Sequence, residues 1–233
     1  MGVEKEFLTL IGQYLPRETY LVGGFVRDYL LGREIKDIDL IVRNDAKNCA
    51  QLLAKRLKGS YFGFEKNNLP LRGEVYTVLI PFRGKDIRVD ISSFERLEED
   101  LAHRDFTINA MAWRLEDFLS NRENLIDPFG GREDLKRRLI RAVSPTSFDE
   151  DPLRILRAYR LAQHLDFAVE PSTRRLIVEK APLLNSVAPE RILGEIMEIF
   201  SKKGTYKTLK ALKKDDIDIY TFVGKITSKP ILG

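Results

Sequence analysis

Residues 20–42 read YLVGGFVRDYLLGREIKDIDLIV, and this stretch decides the fold. Tyr20-Leu21-Val22 is a short apolar run of the kind that forms a buried strand, and Gly23-Gly24 breaks it. Phe25 to Leu31 follows with helical spacing, and Gly32 stands where a helix stops. Asp37-Ile38-Asp39 then leads into a second apolar run, Leu40-Ile41-Val42, which reads as another strand. The unit is therefore strand, glycine turn, helix, strand.

That geometry has chemical consequences. A glycine pair between a strand and a helix lets backbone N–H groups approach an anion, and the helix N-terminus favours negative charge there. Arg27, on the first turns of the helix, reaches toward the same anion. The side-chain period of a strand is two, so Asp37 and Asp39 project from one face. Paired carboxylates beside a phosphate site suit Mg²⁺, a hard ion that takes oxygen ligands and keeps some from substrate phosphates. Alone, a Gly-Gly is a turn and an Asp-x-Asp is a solvated strand end. Together in one unit they point to phosphoryl or nucleotidyl transfer assisted by two metal ions.

Composition bounds the answer. The chain has 233 residues, enough for one large or two small domains. A net charge of +4 suits a polyanionic partner without requiring one. From Ser201 onward there are eight lysines against three aspartates, so this end carries the whole positive excess. A single cysteine, Cys49, excludes an internal disulfide and a cysteine-based zinc site, and reads as a buried thiol. No signal peptide or membrane-length apolar run is evident, and the expected location is cytoplasmic, with no membrane partner.

Along the chain, residues 3–14 predict a leading helix and residues 45–58 an amphipathic one, with Asp45 as its N-cap and Gly59 as its C-cap. Residues 61–64, 74–80 and 87–91 read as strands, the last two joined by a hairpin turn at Arg83-Gly84-Lys85. Asp90 lies inside an apolar strand, where an unpaired carboxylate is costly, so it is a ligand candidate. In the segment 97–112, Arg104 suits a phosphate, Asp105 or Asn109 suits a ribose 2′-hydroxyl, and Asp105 can cap Thr107-Ile108-Asn109. In Asp149-Glu150-Asp151-Pro152-Leu153-Arg154, read as a helix start with Pro152 in its first turn, Asp151 and Arg154 are three apart and share a helix face. An acceptor and a donor side by side can read the edge of a nucleobase, since a carboxylate pairs with an exocyclic amine. Arg157 and Arg160 continue that stripe. The plainer reading is a salt bridge on an arginine-rich solvated face.

Gly-Gly-x-Val-Arg-Asp-x-Leu-Leu-Gly followed by Asp-x-Asp resembles the first motif of the class II tRNA nucleotidyltransferase and bacterial poly(A) polymerase family, whose catalytic head is of the DNA polymerase β type. Val89-Asp90-Ile91-Ser92-Ser93-Phe94 resembles its third-carboxylate strand. Residues 97–112 resemble its second motif, with His103 where an arginine is usual. Residues 125–135 resemble the joint of head and neck, residues 149–160 the Glu-Asp-x-x-Arg motif, and Pro189 to Phe200 the last neck motif, whose Glu190, Arg191 and Glu195 would brace the Glu150–Arg154 helix. The resemblance spans about residues 19–200.

The resemblance implies an α+β fold: a catalytic head over 1–135, built on a small mixed sheet with flanking helices, and an all-helical neck over 136–233. It implies transfer of a nucleoside monophosphate from CTP or ATP to the 3′ end of tRNA, with pyrophosphate released. Asp37 and Asp39 would hold Mg²⁺ and Asp90 would assist. Gly23, Gly24 and Arg27 would hold triphosphate, and Arg104, Asp105 and Asn109 ribose and phosphate. Asp151 and Arg154 would choose the base, with Arg157 and Arg160. Family members carry a flexible polar loop of about a dozen residues, long for a loop, between the third-carboxylate strand and the second motif. Here Ser93-Phe94-Glu95-Arg96 runs almost directly into Leu97. A short connection resembles enzymes that add only the two cytidines, which leans the reading toward CC addition. The family continues through helical body and tail domains that grip tRNA, and after about residue 210 the resemblance weakens, so the reading is a compact enzyme, a catalytic fragment, or a chain to which a further domain or subunit supplies that grip. The alternatives are a poly(A) polymerase of the same family, a catalytically dead RNA-binding module, and nucleotidyl transfer to a small molecule or protein.

Overall fold

The computed structural model describes residues 2–43, 45–64 and 74–219. Lys225 and Lys229 of the lysine-rich end lie outside the described residues. The chain divides into two compact units, Met1–Leu135 and Lys136–Gly233.

The first unit opens with α1 (Gly2–Gly12), then β1 (Thr19–Val22), α2 (Gly23–Leu30), β2 (Asp37–Arg43) and α3 (Ala46–Leu57). The strands β3 (Ser60–Phe64), β4 (Val75–Phe82) and β5 (Lys85–Phe94) follow. Next come α4 (Leu97–Ala102), a 3₁₀ turn at Thr107–Asn109, β6 (Ala112–Arg114), α5 (Leu115–Leu119), β7 (Leu125–Ile126) and α6 (Gly131–Arg137). These strands form one mixed sheet in the order β3-β4-β5-β2-β1-β6-β7. Among the described residues of this sheet, only the central pair, β2 with β5, runs parallel. A parallel pair needs a crossover between its strands, and α3 lies within it. In β2, Ile38 is buried between an exposed Asp37 and a half-buried Asp39, after which Leu40, Ile41 and Val42 are all buried. The strand is thus amphipathic at its start and covered on both faces further on.

Turn chemistry fixes the register around that pair. Arg83 and Gly84 both have positive φ and join β4 to β5 in a two-residue hairpin, which pairs Thr77 with Asp90 and Leu79 with Arg88. Asp45 caps α3 by accepting from the N–H of Asn48. The C-cap of that helix is Lys58 in the left-handed region rather than the expected Gly59. Gly59 instead makes room for the neighbouring strand. A Cβ there would stand 2.4 Å from the carbonyl oxygen of Leu79, so only glycine lets the chain pass this close to β4.

The second unit contains β8 (Leu139–Ile140), α7 (Ser147–Glu150), α8 (Arg154–Leu165), β9 (Ala168–Val169), α9 (Pro171–Lys180), a 3₁₀ segment at Ala181–Ser186, α10 (Pro189–Phe200) and α11 (Thr205–Lys214). The expectation of an all-helical neck is corrected here: β8 and β9 pair in parallel, bridging the start of the unit to the residues after α8. The helix α8 is the hub of this unit, packing on α10 and α11, with Ile155, Leu156, Ala158, Tyr159 and Leu161 buried. Among the described residues, no helix is long and apolar enough to cross a membrane.

Candidate active site

The parallel ladder assembles the acidic cluster. Its register pairs Asp39 with Asp90 and Asp37 with Arg88, so these four side chains leave the same face of the sheet. Asp39 sits at the mouth of α2, where the N–H of Gly24 donates to its Oδ2 at 3.2 Å. Gly23 has φ +63, and a Cβ there would lie 2.9 Å from Asp39 Oδ2 and 3.1 Å from Arg104 Nη1. The glycine pair therefore forms the first turn of α2 itself, and the anion it receives in this structure is the Asp39 carboxylate. Burial pushes the Asp39 carboxyl above its ordinary range. Arg104 and the Gly24 N–H pull it back, and Asp90 and Asp37 raise it further.

Asp90 is held from two sides. The buried Thr77 hydroxyl donates to its Oδ1 at 2.5 Å. Arg88 donates from Nε to Oδ1 at 3.1 Å and from Nη2 to Oδ2 at 3.0 Å, a two-pronged contact. Sequence reasoning missed both partners. The hairpin register was the available signal: with the turn fixed at Arg83-Gly84, Thr77 must face Asp90, and Arg88 must share its face two residues earlier.

The second motif closes over α2. Arg27 is pinned by Asp28 through Nε and Nη2, and its Nη1 donates to Asn109 Oδ1 at 2.8 Å. The Asn109 amide in turn donates to Asp105 Oδ1 at 2.9 Å. Asp105 is buried and also accepts from the N–H of Phe106, while the cap position of the 3₁₀ turn is Phe106 and has no side-chain cap. The expected capping role of Asp105 is thus replaced by an orienting one, which turns the Asn109 carbonyl oxygen toward Arg27. Arg104 is buried and gripped by Asp100 through Nε and Nη2 at 3.0 and 2.9 Å. The 125–135 segment braces this turn. Asp127 accepts from the N–H groups of Gly131 and Arg132, and Asp134 accepts from the Thr107 hydroxyl at 2.7 Å. A Cβ on Gly131 would meet the Thr107 carbonyl oxygen at 2.2 Å.

Of the residues expected in the head, the fold brings Gly23, Gly24, Arg27, Asp37, Asp39, Asp90, Arg104, Asp105 and Asn109 into one neighbourhood linked by these contacts. Among the described residues, no three His, Cys, Asp or Glu side chains already converge as a metal cage. The donor set is still suited to a hard divalent cation. Asp37 and Asp39 offer only oxygen from one strand face, and Mg²⁺ fills its other positions with water and phosphate. Burial disfavours the Asp39 charge and Asp90 and Asp37 add to that, and a cation bound there would offset both.

The expected base-reading residues lie in the second unit, and here the structure departs from the expectation. Asp151 and Arg154 do not share a helix face. The chain is extended at Asp151, with φ −148 and ψ 98, between the end of α7 and the start of α8. The cause is Pro152, whose ring disfavours the helical conformation of the residue before it. Both side chains are buried and engaged. Asp151 accepts from Arg191 at 3.0 and 3.1 Å and from the N–H of Leu153. Arg154 reaches Glu150, the Ser147 hydroxyl and the Ser147 carbonyl oxygen. Arg157 and Arg160 are half-buried on α8, with Arg160 Nε 2.6 Å from Glu195. Arg191 and Glu195 of α10 therefore do brace the motif, through Asp151 and Arg160 respectively.

A mixed sheet with paired aspartates on its central strand, beside a glycine-started helix, is the arrangement expected of a nucleotidyltransferase head. Residues 19–141 match the family described as the poly(A) polymerase head domain, and the chain belongs to that family, which the tRNA nucleotidyltransferases share. Residues 166–220 match a second family, described as a probable RNA- and SrmB-binding site of polymerase A. The chain is 41% identical to a CC-adding tRNA nucleotidyltransferase of Geobacter sulfurreducens, over 77% of this chain and 40% of that protein. It is 42% identical to an A-adding tRNA nucleotidyltransferase of Aquifex aeolicus, over 76% of this chain and 22% of that protein. The Thermotoga maritima CCA-adding enzyme complexed with tRNA superposes with a TM-score of 0.74 at 33% identity, covering 91% of this chain and 50% of that one. The chain spans half the length of these relatives or less.

Proposed function

We propose that this chain carries the catalytic head and neck of a tRNA nucleotidyltransferase, which moves CMP or AMP from CTP or ATP to the 3′-hydroxyl of tRNA and releases pyrophosphate. The observation that carries the reading is the pairing of Asp39 with Asp90 across the central parallel ladder, with Asp37 on the same face and α2 opening beside them. Asp37 and Asp39 would hold Mg²⁺, with Asp90 assisting. The ion would activate the attacking hydroxyl and neutralise charge on the leaving pyrophosphate.

The other residues bind and orient. Gly24 offers a backbone N–H at the positive end of a helix dipole. Arg27 and Arg104 are cations held in place by Asp28 and Asp100, so they meet the triphosphate without being reordered. Asn109, its amide set by Asp105 and Arg27, faces the ribose. In the neck, Asp151 is a pre-oriented acceptor for an exocyclic amine: a carboxylate has about four acceptor sites, so it can keep Arg191 and accept one more donor. Arg154, Arg157 and Arg160 supply donors on the same segment. Such an enzyme would work in the cytoplasm, and a further domain or subunit would grip the tRNA elbow.

We lean toward CC addition because β5 ends at Phe94 and α4 begins at Leu97, leaving two residues where the loop would stand. The relatives with CC-adding and A-adding names are equally similar, so identity alone does not choose. The test is primer extension with Mg²⁺ and tRNAs ending at the discriminator base, at C and at CC, each with CTP, ATP or both. Two C additions and no A support the proposal in full. A single A on the CC-ended tRNA, or complete CCA, keeps the transfer and overturns the loop argument. Long A tails on any RNA move the chain to poly(A) synthesis, and no extension argues for a binding module.

A further inference from the structure

We propose that Arg88 is a resident counter-ion of the carboxylate cluster that competes with a divalent cation for Asp90, and so sets the metal affinity of the site. The inference rests on the metal-dependent reading of that site proposed for the head.

Two arginines face the cluster, and they differ in freedom. Arg104 is buried, locked to Asp100 by two hydrogen bonds, and sits behind Gly23. It is a fixed part of the wall. Arg88 enters from the ladder position opposite Asp37, and its side chain is 50% exposed. Its fork spans both oxygens of Asp90. Asp90 itself cannot turn away, because Thr77 holds Oδ1 from the neighbouring strand and is buried. Thr77 and Arg88 together occupy Oδ1, and Oδ2 keeps one acceptor site, so a cation that uses Asp90 sits beside the guanidinium and is repelled by its charge until Arg88 swings away. The guanidinium can yield at little cost, since it swings into water and stays solvated.

An ordinary exposed ion pair would contribute little and change nothing at a distance. Arg88 is different in that its guanidinium bonds a carboxylate of the cluster, while Asp37 and Asp39 also act on its charge. Removing that charge leaves three carboxylates on one sheet face with Arg104 to balance them. The site should then take up a divalent cation more tightly.

The test uses the full chain and Mn²⁺ as probe, without nucleotide. Free Mn²⁺ is followed by its electron paramagnetic resonance signal during titration of the wild type, Arg88→Gln, Arg88→Lys and Asp39→Asn. Arg88→Gln is expected to bind about five- to tenfold more tightly than wild type. Arg88→Lys, which keeps the charge, should stay close to wild type, and Asp39→Asn should bind more weakly. Melting supplies a second readout: Arg88→Gln should lose more in EDTA than the wild type and gain more from added Mn²⁺. If wild type binds and Asp39→Asn does not, while Arg88→Gln binds equally or less well, the counter-ion role is overturned and the metal reading stands. If neither wild type nor Arg88→Gln takes up Mn²⁺, both fall.

Discussion

The head and the neck treat buried charge in opposite ways. In the head, Asp37, Asp39 and Asp90 share one face of the sheet with Arg88 set against Asp90, and burial first, then the charge of Asp90 and Asp37, raises the Asp39 carboxyl. In the neck, most charged residues of the 149–160 motif have an opposite partner: Asp149 has Lys180, Asp151 has Arg191, Arg154 has Glu150, and Arg160 has Glu195. The head stores unfavourable electrostatics where a cationic ligand would relieve it. The neck resolves its electrostatics internally and presents groups fixed in direction. A site for metal and phosphate chemistry gains from the first arrangement, because its interaction with the ligand is then large. A base reader gains from the second, because discrimination needs donors and acceptors that do not reorient.

The contrast breaks most sharply at Asp39. Asp39→Asn should lower nucleotidyl transfer by on the order of 10³-fold, since a ligand oxygen loses its charge at the reacting centre. The same change should leave the melting temperature equal or higher, because it removes a half-buried charge that burial and its like-charged neighbours oppose and keeps the shape. Extension rates and a melting curve on one preparation check both. A loss of activity accompanied by a fall in stability would mean that the head is balanced like the neck.

The matching change in the neck should do the reverse. Arg191→Ala leaves Asp151 buried with the Leu153 N–H as its remaining donor. Breaking a buried pair from one side costs about 3 kcal/mol, and Arg191 is partly exposed, so the loss should not exceed that. Urea unfolding measures it. The preference between CTP and ATP should narrow as well, because the acceptor is no longer held. Unchanged stability would show that the Asp151–Arg191 pair is not a fixed element.

The head was legible in the sequence because its logic is local. Strand period two puts Asp37 and Asp39 on one face, a glycine pair opens a helix beside them, and a carboxylate inside the apolar strand of Asp90 needs a reason. What escaped was the register between strands. Thr77 reaches Asp90 only through the hairpin register, whereas Arg88, two residues earlier on the same strand, follows from the strand period and went unread. The Glu-Asp-x-x-Arg motif was legible as a motif and misread as geometry. Its spacing of three suggests a shared helix face, but Pro152 forces Asp151 out of the helix, and the partner that then captures it, Arg191, lies 40 residues on. The two-residue ladder of β8 and β9 carries no periodic signal of its own, so an all-helical neck was the natural reading.

A smaller effect is expected where the head is braced rather than charged. Gly131→Ala places a methyl 2.2 Å from the Thr107 carbonyl oxygen, and backbone cannot yield as a side-chain tip would. Overpacking of this kind costs about 1–3 kcal/mol. Because Thr107 begins the turn that ends in Asn109, the variant should also raise KM for nucleotide while leaving Mn²⁺ uptake at Asp37 and Asp39 unchanged. Equal losses in both would mean that the whole head has moved, and the turn would not be a separate support.

The smallest effect separates the two units by pH. Glu170 accepts from the N–H of Thr173 at the start of α9 and from the Ser172 hydroxyl. Burial would raise its carboxyl, but these hydrogen bonds outweigh burial and hold it at about 2, against an ordinary 4.5. Asp215 follows the same pattern: burial opposes, and hydrogen bonds from Arg174 and Tyr159 hold it below the usual range. A depressed carboxylate stabilises the fold above its unfolded value, and that contribution is lost as pH falls through the folded one. The neck should therefore weaken progressively below about pH 4.5. Glu170→Gln should cost about 1 kcal/mol at pH 7, the usual worth of a helix cap, and the deficit should close toward pH 2 as the wild type becomes protonated too. Unfolding followed at both pH values checks it. A deficit that persists at low pH would assign the effect to packing, and the contrast between a neck with paired charges and a head with crowded ones would then rest on Asp151 and its partners alone.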